Sequence, residues 1–523
     1  MKRLSIKRKH SKRLSKKGYW AGYKRGREQG SRLGQASFGK VFEGVSIIIP
    51  SYNQLHRLRT CIHRIEENTS QPHEIIVVDC GSTDGTRTYL LRKSIAVRYA
   101  LLKKDVHLTG SLNQGLMMAK GTTIVVLDPN ALVTPDWLDR LLECLHSDPR
   151  IGVVGPVTNG PFGEQQIEVP YTNENEARLF AISHNVSNPA AWRETKSLAG
   201  FCLLLSRETL EKTGYWDEGC HSGQEADADW LLRVRLLGTR LAIAGDAFIH
   251  CTESDRDTAY ASPQTTGEGG LTEEGSRNRS FFVQKWGDAD KLLHSLKFGT
   301  AEPDSQIPPT KARHVSAATF YPVGALVQGP SGAIYRLEPG RRRLLDGVRG
   351  AGGEDVAPVR VSQLDLLALP LVPKPEVTIS GVADAPVAAQ PSVLKNVETV
   401  EIPGDYDPVN GISSPTSSTS SPSASFVPEE PVPVLAAPEL ENMPILLTLN
   451  IPAQRMRWIE VLYVEGGQLY QIGNGWKRPF LTPYAAMSWL AADYRIRLVS
   501  PGDLSDLAEE QPIIAPPVLR GHL

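Results

Sequence analysis

Short apolar runs recur along the first half of the chain, and none of them alternates with polar residues. Residues 124–127 form the clearest run, and residues 45–50 and 74–79 have the same character. Strands of this kind are typical of a parallel sheet that helices cover on both faces. Residues 55–65 instead place apolar side chains at helical spacing. The alternation of such segments predicts an α/β fold with a doubly wound, mainly parallel sheet.

Two of these predicted strands end on a carboxylate, Asp79 and Asp128. Ligands of an open α/β sheet bind beyond the carboxyl ends of its strands, so we expect both acids to line one crevice, where a nucleotide would bind. Asn130 offers a further oxygen. Thr134 as N-cap and Pro135 at the first position predict the start of a helix. A strand, a turn and a capped helix without a ligand is the simpler alternative.

A third group of acids lies where a later helix is predicted, at residues 223–233. Glu225, Asp227 and Asp229 fall in its first turns. Acids at this position stabilise a helix through its dipole, which is the simpler explanation, although three acids exceed what a cap requires. His250 ends a predicted strand, where a structural histidine is the commoner case.

Length and composition limit the possible classes of protein. A chain of 523 residues predicts two to four domains, and 57 Lys and Arg residues against 58 Asp and Glu residues give no overall attraction to nucleic acid. The six cysteines form no Cys-x-x-Cys pair, which argues against a zinc site or a disulfide scaffold. No apolar run reaches the length of a membrane span. We therefore expect a cytoplasmic protein that is membrane-peripheral at most.

Residues 1–43 form a basic tail in which Gly18, Gly22, Gly26, Gly30 and Gly34 recur at every fourth position. On a helix this spacing would make a narrow stripe for close packing, but glycine disfavours helices in water. A disordered tail is the simpler interpretation. The alternative is a docking arm for a protein partner or an anionic membrane surface.

Seven short motifs follow one another in the first half of the chain. They are residues 46–53, 77–86, 113–115, 127–130, 200–204 and 226–229, and His250. In this order they resemble the family 2 glycosyltransferases of the GT-A fold. The resemblance covers residues 45 to about 257, less than half of the chain, and implies the sheet of a nucleotide-diphospho-sugar transferase.

The resemblance also implies roles for individual residues. The donor nucleotide sugar would contact Pro50, Ser51, Tyr52, Asn53, Asp79, Ser82, Asp84, Asn113 and Asp128. Asp128, Asn130 and His250 would hold a divalent cation, Mn²⁺ or Mg²⁺, which neutralises the leaving diphosphate. Asp227 would be the general base that takes the proton of the acceptor hydroxyl. The residues that contact the acceptor or support the base would be Glu225, Asp229 and Gly200.

The resemblance thus implies metal-assisted transfer, with inversion, of a sugar from a nucleotide donor to a hydroxyl group of a glycan, glycoprotein or lipid-linked acceptor in polysaccharide biosynthesis. Three positions depart from the family pattern, since Asn130 and Ala226 replace acids and Leu112 replaces an arginine. A catalytically degenerate glycan-binding or scaffold protein is therefore one alternative. A nucleotidyltransferase is another, but residues 51–54 lack the glycine- and lysine-rich phosphate loop that it needs.

The second half of the chain contains an internal repeat. Residues 333–343 with 359–362 parallel residues 468–479 with 497–500, and each copy predicts a β-hairpin followed by a short helix. The matching positions are Tyr335 with Tyr470, Gly340 with Gly475 and Arg343 with Arg478. A helix predicted at residues 278–297 closes the domain before the repeats.

These patterns predict the domain boundaries. The units are a basic tail at 1–43, a GT-A domain at 44–300, a linker at 301–318, a first hairpin repeat at 319–372, a Pro-, Ser- and Ala-rich linker at 373–441 and a second hairpin repeat at 442–516. The second linker cannot bury a core, so we expect a disordered tether and repeats that move relative to the catalytic domain. The repeats would bind an acceptor or act as spacers.

Overall fold

The structure is a computed structural model that describes residues 24–25, 40–93, 96–102, 107–221, 223–252, 273–288, 316–345, 358–373, 461–464, 468–473, 475–490, 496–499 and 501–519. Most of the predicted basic tail and all but Pro373 of the predicted Pro-rich linker lie outside these residues. The chain divides into one compact unit, Met1–Val372 with Leu447–Leu523, and a second unit, Pro373–Leu446. All helices and strands described below belong to the first unit.

An eight-stranded sheet forms the centre of this unit. Its strands are β1 (Phe42–Ser51), β2 (His73–Asp79), β3 (Arg98–Leu101), β4 (Gly121–Leu127), β6 (Ile151–Val157), β7 (Trp192–Thr195), β8 (Cys202–Ser206) and β9 (Arg240–Phe248). They lie in the order β3-β2-β1-β4-β8-β6-β9-β7. β8 runs antiparallel to β4 and β6, β7 runs antiparallel to β9, and the remaining neighbours are parallel. The predicted mainly parallel α/β sheet is confirmed. A separate antiparallel ribbon joins β5 (Ala131–Leu132) to β10 (His250–Cys251).

Helices cover both faces of the sheet, and none of the described helices is long and apolar enough to cross a lipid bilayer. They are α1 (Leu55–Asn68), α2 (Thr86–Lys93), α3 (Leu108–Met118), α4 (Trp137–Ser147), α5 (Glu174–His184), α6 (Arg207–Thr213), α7 (Gln224–Leu236) and α8 (Glu273–Trp286). In β1, Ile47 and Ile49 pack into one hydrophobic cluster and Ile48 packs into another, and all three are fully buried. Because both faces are covered, the strands need no polar alternation.

The predicted start of α4 is two residues early. The helix begins at Trp137, and Asp136, in the left-handed region with φ 59°, occupies the N-cap position. Thr134, the predicted N-cap, instead hydrogen-bonds the carbonyl oxygen of Phe248 on β9. This tertiary hydrogen bond fixes the chain before the helix and explains the difference.

Two small sheets follow the catalytic sheet. The first contains β11 (Leu326–Gln328), β12 (Ile334–Glu338), β13 (Arg341–Leu344) and β14 (Val359–Arg360), and the second contains β15 (Val461–Val464), β16 (Gln468–Gly473), β17 (Trp476–Pro479), β18 (Ile496–Val499) and β19 (Ala508–Glu509). Short helices α9 (Gln363–Leu367) and α10 (Pro483–Trp489) accompany them. In both sheets a central hairpin, β12–β13 or β16–β17, turns at a glycine with positive φ, Gly340 at 68° or Gly475 at 83°. Glycine adopts this conformation without steric cost.

The small sheets share a hydrophobic core with the catalytic domain. Phe480, Ile513 and Ile514 pack in one cluster with Leu232 of α7 and Trp286 of α8. The hydroxyl of Thr482 also donates to the carbonyl oxygen of Lys285 across 3.1 Å. The prediction of repeats that move relative to the catalytic domain is therefore wrong for the described residues, because their apolar faces are buried against α7 and α8.

Candidate active site

Asp128 and Asn130 form a tight turn at the carboxyl end of β4. Oδ1 of Asp128 accepts hydrogen bonds from the backbone nitrogen of Asn130 at 2.7 Å and from its Nδ2 at 2.6 Å. Burial raises the pKa of the Asp128 carboxyl, although the hydrogen bonds from Asn130 oppose this rise. Oδ1 of Asn130 is buried and has no hydrogen-bond partner. A buried carbonyl oxygen without a partner is costly, so this atom is available to a ligand.

His250 lies beside this turn because β10 pairs with β5. Its register partner is Leu132, and the backbone nitrogen of Thr252 donates to the carbonyl oxygen of Asn130 across 3.2 Å. The hydroxyl of Tyr171 lies 2.8 Å from Nδ1 of His250 and orients the ring. The backbone pairing thus places His250 on the strand next to the Asp128–Asn130 turn. Sequence reasoning missed Tyr171, which lies in a loop without a recognisable motif.

These three residues differ from a purely acidic or histidine-rich metal site. Within the described ranges, no cluster of three or more His, Cys, Asp or Glu side chains is arranged to hold a metal ion. Asn130 is not among these residue types, but its amide oxygen is the hard type of ligand that Mg²⁺ and Mn²⁺ accept. The donor set therefore fits a divalent cation with one charge fewer than a pair of carboxylates would provide.

Ser51 and Asp79 lie side by side at the carboxyl ends of β1 and β2. The two residues are register partners, and Pro50 pairs with Val78 one step earlier. Both side chains are buried, and Oγ of Ser51 has no hydrogen-bond partner. Oδ1 of Asp79 accepts a hydrogen bond from the backbone nitrogen of Ser82 at 3.3 Å. This end of the sheet is where the sequence predicts a nucleoside pocket.

The loop after β1 is locked to the loop after β2. Asn53, with a φ of 51°, donates its backbone N–H to Oγ of Ser82 at 2.8 Å. Its Oδ1 accepts a hydrogen bond from the backbone N–H of Thr83 at 2.7 Å. Tyr52 is held between these anchors with 45% of its side chain exposed. A rigid loop that presents an exposed aromatic ring suits stacking on a base.

Two predicted donor-binding residues have other partners in the structure. Asp84 accepts hydrogen bonds from Leu55 at the start of α1 and from Thr86 at the start of α2. Burial opposes ionisation, but these hydrogen bonds outweigh it and keep the pKa of Asp84 below its ordinary value. The observed role of Asp84 is therefore to cap two helices, which differs from the predicted donor contact.

Asn113 is also engaged internally. Its Nδ2 donates to the carbonyl oxygen of Trp216 and to Oε1 of Glu218, each at 2.9 Å, and its Oδ1 accepts from the backbone nitrogen of Trp216 at 2.9 Å. The side chain is fully buried. Asn113 thus ties α3 to residues 216–218, and its amide points into the protein rather than to the predicted donor.

Asp227 is buried in the first turn of α7. Its Oδ1 accepts a hydrogen bond from Nε1 of Trp216 at 3.2 Å, and the backbone N–H of Gly200 lies close enough to lower the pKa of the same carboxyl. Burial is the largest influence and, with the nearby charge of Glu225, raises the pKa of Asp227 to about 7, against the opposing effect of these contacts. The carboxylate can therefore accept and release a proton near neutral pH.

Asp229 faces the opposite side of α7 and cannot act as a reserve base. Its Oδ2 accepts two hydrogen bonds from the guanidinium of Arg233, and its Oδ1 accepts from Nζ of Lys285 and Nε1 of Trp286. Burial raises the pKa of Asp229, but Lys285 and Arg233 outweigh burial and hold that pKa below its ordinary value. Residues two apart on a helix point in opposite directions, which explains the separate environments of Asp227 and Asp229.

With this geometry in place, comparison with known proteins gives a consistent result. Residues 46–214 match the model of the family described as Glycosyl transferase family 2. The match covers less than half of the chain, and Asp227 and His250 lie beyond it. The predicted resemblance is thereby confirmed for the first part of the catalytic domain.

Two curated relatives of this stretch are named for the same activity. The poly-β-1,6-N-acetyl-D-glucosamine synthase of Staphylococcus aureus (strain COL) is 21% identical over 198 residues, which cover 37% of this chain and 46% of that protein. The synthase of the same name from Staphylococcus epidermidis is 22% identical over 180 residues, covering 34% of this chain and 42% of that protein. The chain spans less than half the length of these relatives.

Solved structures show weaker similarity. A mannosyltransferase from Pyrobaculum calidifontis, in complex with GDP-Man and Mn²⁺, aligns with a TM-score of 0.31 and 23% identity over 42% of this chain and 59% of that one. GalNAc-T7, with UDP, GalNAc and Mn²⁺, aligns with a TM-score of 0.36 and 15% identity over 49% of this chain and 50% of that one.

Proposed function

We propose that this protein transfers a sugar from a nucleotide-sugar donor to a hydroxyl group of a glycan, glycoprotein or lipid-linked acceptor, with inversion at the anomeric carbon. One observation carries the proposal. The backbone N–H of Gly200 lies close enough to Asp227 to lower the pKa of its carboxyl, and the carbonyl oxygen of the next residue, Phe201, accepts the backbone N–H of Asp128 at 2.9 Å. These two contacts support a proton acceptor beside the residues that would face the donor diphosphate, and the family match supports the donor side.

Asp227 is the proposed general base. As the acceptor oxygen bonds to the anomeric carbon, its proton passes to the Asp227 carboxylate and the bond from the sugar to the diphosphate breaks. A base with a pKa of about 7 is largely deprotonated just above neutral pH and still takes up a proton readily. Such a group typically contributes about 10²–10⁴-fold to the rate.

Asp128, Asn130 and His250 are the residues that would hold a divalent cation, Mn²⁺ or Mg²⁺. The buried, unpartnered Oδ1 of Asn130 supports this assignment. When bound, such a cation acts as a Lewis acid that neutralises charge on the diphosphate leaving group. Ser51 and Asp79 would line the nucleoside pocket, with Tyr52 stacking on the base.

We further propose that the catalytic domain covers residues 44–300 and that the small sheets at 319–372 and 442–516 are copies of one repeat unit. Arg342 lies 5.3 Å from the ring centre of Tyr335, and Lys477 lies 5.7 Å from that of Tyr470. These cation–ring pairs occupy matching positions in the two hairpins, which supports a common unit that binds an acceptor or acts as a spacer. The setting would be cytoplasmic polysaccharide synthesis, with a membrane or protein partner for the basic tail.

The deciding experiment is a thermal-shift panel of nucleoside diphosphates and sugar nucleotides, each with and without Mn²⁺. We expect one nucleotide to raise the melting temperature only when the metal is present, since a ligand of the folded state stabilises it. Asp128→Ala should abolish this rise, whereas Glu211→Ala, at an exposed site on α6, should keep it.

Transfer is then measured with radiolabelled sugar from the nucleotide that binds. Release of the nucleotide together with an inverted glycoside would support the proposal. Binding without transfer or hydrolysis, under every metal and acceptor tested, would contradict it and favour a glycan-binding or scaffold protein.

A further inference from the structure

Residues 512–519 connect the second small sheet to the catalytic domain. The backbone nitrogen of Ile513 donates to Pro479 at 2.7 Å, and that of Ile514 donates to Phe320 at 3.2 Å. Nε1 of Trp489 donates to the carbonyl oxygen of Ile514 at 2.7 Å. Ile513 and Ile514 are buried. The segment is thus anchored on the second small sheet and on Phe320, which precedes the first one, before it reaches the glycosyltransferase domain.

Val518 then pairs with two consecutive residues of the catalytic domain. Its backbone N–H donates to Oδ1 of Asp217 at 3.0 Å, and its carbonyl oxygen accepts the backbone N–H of Glu218 at 2.8 Å. The next residue, Leu519, packs against one of the two hydrophobic clusters of the catalytic sheet. The contact therefore combines two specific hydrogen bonds with apolar packing.

The same loop holds the proposed base. Trp216, the residue before Asp217, donates its Nε1–H to Asp227 and stacks on Trp230 with ring centres 3.9 Å apart. The backbone nitrogen and the carbonyl oxygen of Trp216 both form hydrogen bonds with the side chain of Asn113. Val518 thus acts on the residues immediately after the side chain that orients the Asp227 carboxylate.

We propose that residues 512–519, through the two backbone hydrogen bonds of Val518, position the Trp216–Asp227 pair for proton transfer, so that the second small sheet forms part of the catalytic unit. The inference rests on the proposed role of Asp227 as general base. Val518 is a positioning residue, because it acts only through Asp217 and Glu218. Misplacing a base by about 1 Å costs on the order of 10²-fold in rate, so a small shift of this loop is sufficient to affect catalysis.

The test compares Val518→Pro with Val518→Ala in the full chain. Proline lacks the backbone N–H that donates a hydrogen bond to Asp217. Alanine keeps both backbone hydrogen bonds and shortens only the side chain. We expect Val518→Pro to lower kcat about tenfold or more, to leave the KM for the nucleotide sugar within about twofold, and to move the midpoint of the pH–rate profile. Val518→Ala should retain wild-type kcat and profile.

Hydrogen exchange of the backbone amides supplies a readout that does not depend on activity. Val518→Pro should speed exchange by about tenfold at Trp216, whose N–H donates to Asn113, and at Gly200, whose N–H lies close to Asp227, whereas Val518→Ala should not. Faster exchange confined to Glu218, with an unchanged pH–rate profile, would overturn the inference and indicate a purely structural contact. If the wild type transfers no sugar, the proposed function fails, and the exchange at Gly200 still decides whether Val518 positions the Asp227 side chain.

Discussion

Asp128 and Asp227 contact consecutive residues, since the carbonyl oxygen of Phe201 accepts the backbone N–H of Asp128 and the backbone N–H of Gly200 lies close enough to Asp227 to lower the pKa of its carboxyl. The two acids are 99 positions apart in the sequence and belong to different elements, β4 and α7. Their connection through one dipeptide couples the donor side of the proposed site to the acceptor side. A shift of residues 200–201 would therefore disturb both.

Replacing Asp227 with asparagine should separate chemistry from binding. The amide keeps the shape of the side chain but cannot take a proton, so we expect transfer to fall by about 10²–10⁴-fold while nucleotide affinity stays within about twofold. Initial rates with labelled donor and calorimetric titration with the nucleotide would measure the two effects. Asp148→Asn, at the half-buried residue that follows α4, is the control. A variant of Asp227 with more than a tenth of wild-type activity would contradict the role of general base.

The pH dependence follows from the pKa of about 7 for Asp227. The base must be ionised, so kcat should fall as the pH drops below about 7. The raised pKa has the opposite effect on stability. Because the pKa of Asp227 is about 7 in the folded state and 3.8 ordinarily, the folded state is destabilised as the pH rises from 3.8 to about 7. Asp227→Asn should therefore raise the melting temperature at pH 8 relative to wild type, with a smaller difference at pH 5. Equal differences at both pH values would argue against the shifted pKa.

Trp216→Phe should move the activity profile to higher pH. The mutation removes a hydrogen bond to the ionised Asp227, and a hydrogen bond to a charged group is worth enough to shift a pKa by about one unit. Trp230→Phe is a matched control, because the Nε1 of Trp230 donates to the carbonyl oxygen of Gly214 instead. Rates measured from pH 5.5 to 9 would compare the two variants. Identical midpoints would show that Trp216 does not tune the base.

Asn130 allows a direct test of the cation site. Asn130→Asp restores a second negative charge and should bind Mn²⁺ about tenfold more tightly, whereas Asn130→Ala removes the unpartnered Oδ1 and should bind it about tenfold more weakly. Electron paramagnetic resonance of free Mn²⁺ gives both affinities without any catalytic turnover. If the three proteins bind Mn²⁺ equally, the cation is held elsewhere.

The sequence was sufficient to predict the sheet and its reactive edge because those signals are local. The apolar runs that became β1 and β4 are buried on both faces, and Asp128 ends its strand as expected. The turn motif around Asp84 is equally local. The two carboxylate oxygens of Asp84 cap α1 and α2, however, and the motif alone could not distinguish capping from ligand binding.

The partners of the buried polar groups could not be predicted, since they are remote in sequence. Asn113 meets Trp216 across 103 positions, and Tyr171 meets His250 across 79. Neither contact leaves a local pattern. Asp229 is the exception, since helical geometry separates it from Asp227 by about 200° and could have excluded the predicted role of Asp229 in supporting the base.

The buried network around Lys285 yields the last prediction. Nζ of Lys285 lies 2.5 Å from Asp217 and 2.6 Å from Asp229, and all three side chains are buried. Lys285→Met would leave two carboxylates without their shared cation, so we expect a loss of about 3–5 kcal/mol in the free energy of unfolding. Lys212→Met is the control, because Lys212 pairs with Glu208, which is mostly exposed, and such pairs contribute about 1 kcal/mol or less. Urea denaturation measures both, and similar losses would show that the Lys285 network adds nothing beyond a surface ion pair.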